Sequence, residues 1–95
     1  MTHQHGYIQD KQRYLARLKR IQGQVGGLTR MIEEDQYCID VLTQISAVNS
    51  ALKNVGLLLL DDHLRHCVAE AVKNSDEEAE IKFQEVSEAL ARFSR

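Results

Sequence analysis

The sequence predicts an all-α, three-helix protomer with a long central helix, closed by antiparallel pairing with a second copy. Three observations carry this prediction. The 95 residues include no proline, the residue that most strongly breaks a helix. Apolar residues recur at alternating spacings of three and four, the period of one helix face. Leu57 to Leu60 are four leucines in a row, and consecutive residues on a helix point all round its axis. One short chain hardly covers such a run on every side, so it reads as oligomer core. A chain of this length makes one domain, residues 1–95, with a modest core that gains from association.

Residues 1–8 read as a flexible polar arm carrying His3 and His5. Short polar termini are commonly poorly ordered, although two imidazoles there also suit a borderline metal such as nickel or cobalt. The first helix is expected from about Gln9 to about Glu34, with Leu18, Ile21, Val25, Leu28 and Ile32 as its apolar stripe. Gly23, Gly26 and Gly27 lower its propensity and read as points of close backbone packing. From Lys11 to Arg30 there are six basic residues and no acid. Arg13, Arg17, Arg20 and Gln24 share one stripe beside the apolar face. A face that serves solubility alone usually mixes signs, whereas a basic stripe repeated in an oligomer suits a polyanion such as nucleic acid. Lys53 on the second helix extends this surface.

The second helix is expected from Tyr37 to Val72, with Val41, Ile45, Val48, Leu52, Val55 and Leu59 on one face. Asp35 is a candidate N-cap. Cys38 then falls in the first turn, where free amides and the helix dipole favour an anionic sulfur. The third helix follows Lys73–Asp76, capped by Ser75 or Asp76. Acids crowd its first turns, and Phe83, Val86, Leu90 and Phe93 form its stripe.

Both cysteines lie on the central helix, Cys67 twenty-nine residues beyond Cys38. A rise of about 1.5 Å per residue puts them roughly 43 Å apart, too far to share a disulfide or a metal within one chain. Two antiparallel copies bring Cys38 of one beside Cys67 of the other, and symmetry makes two equal sites. His63 and Cys67 are four apart, on one helix face. Together with Cys38 they offer two thiolates and one imidazole. Soft ligands in low number suit Cu(I). Zinc would want a fourth ligand, such as water, His66 or Asp62. The ordinary alternative stands beside this: helical cysteines often serve as small buried apolar groups. His66 reads as a surface residue.

No catalytic constellation is present, neither a nucleophile with base and orienting acid nor a phosphate loop, and the Cys-x-x-Cys of thiol oxidoreductases is missing. No small organic substrate is expected. No apolar run reaches the length of a membrane span, and the first residues lack the apolar stretch of a secretory signal. Two cysteines without a scaffold pattern fit a reducing compartment. A cytoplasmic protein is expected.

Three segments then carry a resemblance: Arg-Leu-Lys-Arg-Ile-Gln-Gly-Gln-Val (17–25), Arg-Met-Ile-Glu-Glu-Asp-Gln-Tyr-Cys-Ile-Asp-Val-Leu-Thr-Gln-Ile-Ser-Ala-Val (30–48) and Asp-His-Leu-Arg-His-Cys-Val (62–68). Over roughly residues 11 to 90 the chain resembles the copper-sensitive operon repressor (CsoR) family. The resemblance implies an all-helical homotetramer, a dimer of antiparallel dimers, that binds operator DNA without a helix-turn-helix. It implies one Cu(I) per protomer, held by Cys38 of one subunit with His63 and Cys67 of its partner, and a loss of DNA affinity on binding that derepresses copper-resistance or efflux genes. It also implies outer roles for Tyr37 and Glu85, hydrogen-bonded to the His63 ring, and a DNA contact at Arg17, to which the charge pattern adds Arg13, Arg20 and Lys53. A basic position of some relatives is Asn54 here. Nickel or cobalt sensors of the family have histidine where Cys67 stands, persulfide sensors have cysteine where His63 stands, and formaldehyde sensors lack the Cys67 thiol. Two rivals come from other classes: a copper buffer that never touches DNA, and a plain helical oligomerisation module.

Overall fold

The computed structural model describes residues 7–93, all-helical with short connections and no strand among them. A 3-10 turn (Ile8–Asp10) leads into α1 (Lys11–Glu33). Helix α2 (Cys38–Asp62) passes through a π-helical turn (His63–Val68) into α3 (Ala69–Asn74), and α4 (Asp76–Phe93) completes the chain. The three-helix expectation holds, with the second helix running unbroken from Cys38 to Asn74 and containing the π turn. His3, His5 and most of the predicted arm lie outside the described residues.

The chain divides into two compact units. The first, Asp10–Leu57, holds α1 and most of α2. Its buried residues are Tyr14 and Ile21 on α1, and Val41, Val48 and Val55 on α2. Each set repeats every seven residues, the spacing of a coiled-coil seam. Most of the rest of the predicted stripes stays uncovered: Leu18, Val25 and Ile32 on α1, and Ile45, Leu52 and Leu59 on α2, are exposed, Ile32 at 63%, while Leu28 is half-buried. Of the four leucines, Leu57 and Leu59 are exposed and Leu58 and Leu60 half-buried. These apolar faces are broader than one protomer covers.

The join between α1 and α2 corrects one expectation. Asp35 does not cap α2. It adopts φ 56°, its amide donates to the Ile32 carbonyl at 3.1 Å, and the Gln36 amide donates to the Met31 carbonyl at 3.0 Å. That pair of bonds is a Schellman closure of α1, with Asp35 in the left-handed position glycine usually takes. Aspartate tolerates it better than most side chains because its short carboxylate bonds locally.

Close packing inside the protomer does not explain the α1 glycines either. A Cβ built on Gly23 or Gly26 meets nothing within 4 Å. None of the described glycines has positive φ.

The second unit comprises Leu58 onward together with Tyr7–Gln9. Helix α4 packs on α3 and on the π turn, and Cys67, Val68, Ala71 and Ala79 are its buried residues. Small residues at this contact let the helices approach closely. Ser75 is extended (φ −166°, ψ 157°), and its Oγ accepts the Glu78 amide at 3.0 Å, so Ser75 is the N-cap of α4. Asp76, Glu77 and Glu78 fill the first turn, where carboxylates suit the dipole. Ser75→Ala is expected to cost about 1 kcal/mol, read as a lowered midpoint in urea denaturation with an unchanged slope.

Candidate metal centre and nucleic-acid surface

Cys38 is the first residue of α2 and is exposed. Tyr37 precedes it, 69% exposed, its carbonyl accepting the Val41 amide at 3.2 Å. Cys38 therefore stands on the free first turn of its helix.

The π turn holds the other two candidate ligands. His63 opens it, half-buried, and Cys67 lies within it, only 5% exposed. A π turn bonds each residue to the fifth along rather than the fourth. In an α-helix the fourth residue slightly overshoots a full turn; in this wider turn it falls slightly short, so His63 and Cys67 stay on one side. Backbone angles are α-helical on either side (Asp62 φ −62°, ψ −38°; Ala69 φ −59°, ψ −38°), which confines the widening to the ligand-bearing residues. Such turns concentrate at functional sites. No residue type in His63–Val68 announces it, so periodicity alone passes over it.

Both thiols are free. Among the described residues of one protomer, no three His, Cys, Asp or Glu side chains gather as a metal cage. As a donor set, Cys38, His63 and Cys67 fit a soft monovalent ion that accepts few ligands.

Glu85 is exposed on α4, where its carboxylate takes the Lys82 ammonium at 3.1 Å. His66 is exposed, as expected. Arg65 bonds Asp61 at 2.9 Å, an exposed pair that reaches from α2 into the π turn.

The candidate DNA-contacting cations on α1 and α2 lie on the surface. Arg13, Arg17, Arg20 and Lys53 are all exposed. The ion pairs among the described residues, Arg65–Asp61 and Lys82–Glu85, use none of them. No described carboxylate lies within ion-pair distance of them.

Comparison with known proteins gives the family. Residues 10–93 match the family model for metal-sensitive transcriptional repressors. The chain belongs to that family, whose members are regulators and not enzymes. It is 59% identical over 95 residues to the copper-sensing transcriptional repressor RicR of Mycobacterium tuberculosis, covering 100% of this chain and 99% of that protein. It is 49% identical over 94 residues to the copper-sensing repressor CsoR of Bacillus subtilis, covering 99% of this chain and 88% of that one. Among solved structures, the Cu(I)-bound copper-sensing repressor CsoR of Geobacillus thermodenitrificans superposes with a TM-score of 0.86 at 38% identity, covering 100% of this chain and 95% of that chain. The nickel-responsive regulator InrS follows with a TM-score of 0.75 at 35% identity, covering 98% and 99%. Among the described residues, no helix is long and apolar enough to cross a membrane.

Proposed function

We propose that the chain is a Cu(I)-responsive transcriptional repressor, acting in the cytoplasm as a dimer of antiparallel dimers. Residues 1–95 form one metal-sensing, DNA-binding domain. Cys38 of one protomer joins His63 and Cys67 of its partner, giving one metal per protomer. The donor set is the observation that supports this most: the chain's two thiols and a histidine one turn from the second, in a chain 59% identical along its whole length to a copper-sensing repressor.

Bound Cu(I) supplies a soft, low-coordinate centre that two thiolates and one imidazole satisfy. The residues do the rest. The burial of Cys67 keeps water from its sulfur. One ring nitrogen of His63 would hold the metal, and the other would be left for Tyr37 or Glu85 to orient, as outer partners of metal-bound histidines do. Glu85 gives up Lys82 to do so, a small loss because an exposed ion pair contributes about 0–1 kcal/mol. Arg13, Arg17, Arg20 and Lys53 hold operator phosphates in the metal-free tetramer. The exposed halves of the α1 and α2 stripes, with Leu57 to Leu60, supply the apolar subunit contacts.

Derepression requires Cu(I) to bind the DNA-free form more tightly, and DNA then weakens Cu(I) by the same factor. Competition with a Cu(I) chelator, with and without operator, is expected to show copper binding weakened about 5- to 150-fold by DNA, the usual range of such coupling. Equal affinities would remove the allosteric account.

The likeness to a nickel-responsive regulator favours a second reading, in which Cys38 and His63 take Ni(II) with His3 or His5. Cys67 weighs against it, because a second thiolate suits Cu(I) better. Operator release by Ni(II) and not by Cu(I) in parallel titrations would decide for nickel.

A further inference from the structure

The metal centre leaves one cleft of the α1–α2 unit unused. It has a volume of about 330 Å³ and is lined chiefly by Gln24, Gly27, Arg30, Glu34, Gln36 and Gln44. A guanidinium and three amides face a single carboxylate, and Glu34 already accepts the Gln36 amide at 3.2 Å. Glu34, four residues on, is the natural helical partner of Arg30, yet Arg30 is exposed and forms no ion pair with any described residue. Its guanidinium lies over Gly27, where an added Cβ would stand 3.9 Å from Nη2.

A phosphodiester matches these donors: one negative charge and two free oxygens, which a guanidinium binds as a fork. Arg30 lies seventeen residues beyond Arg13, about 26 Å along the helix and about 100° round it, so the phosphate it meets is a different one from those that the Arg13, Arg17 and Arg20 stripe meets.

We propose that Arg30, supported by Gln24 and Gln44, seats a backbone phosphate of operator DNA at the opposite end of α1 from Arg13 and Arg17. This rests on the DNA-binding reading above and adds a second anchoring point to it.

The test is fluorescence anisotropy of labelled duplexes, one carrying the promoter of the regulated gene and one scrambled, across a salt series. Arg30→Ala is expected to weaken both duplexes about tenfold, without altering their ratio, because phosphate contacts carry no sequence information. The slope of log affinity against log salt falls by about 0.9 for each protomer engaged. Arg30→Lys restores the slope. Gln44→Glu, an exposed position on α2, weakens binding by setting a like charge against the phosphate, and it keeps the test open if Arg30→Ala folds poorly. If the parent protein binds DNA while Arg30→Ala and Gln44→Glu keep its affinity and slope, the seat is overturned and the repressor reading stands. A parent protein that binds no duplex overturns both.

Discussion

A Cys67→Ser variant is expected to bind operator DNA as the parent does and to hold it at every Cu(I) concentration. Serine replaces a soft sulfur with a hard oxygen that Cu(I) disfavours. Changes to the outer partners of a metal ligand already cost about 10- to 100-fold in affinity, so loss of a direct ligand is expected to exceed roughly 100-fold. Cys67 is also 5% exposed, and an unpaired hydroxyl in its place costs about 1–3 kcal/mol. Cys38→Ser separates the two effects. Cys38 is exposed, so its replacement should leave the melting transition unchanged while removing the copper response equally. Chelator competition and thermal melting of both variants check this. If Cys38→Ser kept normal Cu(I) affinity, the inter-subunit site would be wrong.

Arg17→Ala carries the second large effect, on the opposite side of the coupling. Arg17 is exposed and makes no ion pair among the described residues, so its removal disturbs no packing charge. Operator affinity is expected to fall about tenfold, with the salt slope shallower by about 0.9 for each protomer in contact. Copper affinity of the DNA-free protein should not change, because Arg17 is not one of the proposed ligands Cys38, His63 and Cys67 and pairs with none of the described acidic groups. A variant that lost DNA and copper binding together would indicate a failure of assembly instead.

The sequence was most informative where a periodic signal coincides with the element it predicts. Helix α1 falls within two residues of its expected start, and Ser75 caps α4 as its side chain allows. The apolar stripes were legible as faces but not as contacts. Val41, Val48 and Val55 are buried while Ile45, Leu52 and Leu59 on the same stripe are exposed. Periodicity reports that a face is apolar; it does not report whether the same chain or another covers it. Aspartate suits both an N-cap and a left-handed C-terminal position, and only the bonds of Asp35 and Gln36 back to Ile32 and Met31 distinguish them. The π turn is the clearest omission. The His63-to-Cys67 spacing was visible, but the wider turn is a property of backbone hydrogen bonding that these side chains do not encode in any simple pattern. The cleft at Arg30 escaped for a related reason: its residues come from two helices and the connection between them, and no single stretch displays them together.

The central claim is that copper occupancy and operator release are one event. Anaerobic titration of the reduced protein with Cu(I), with the anisotropy of a labelled operator followed in parallel, tests it most directly. The account predicts one Cu(I) per chain, with DNA released as those sites fill. Stoichiometric, tight copper binding that leaves the operator fully bound would contradict it.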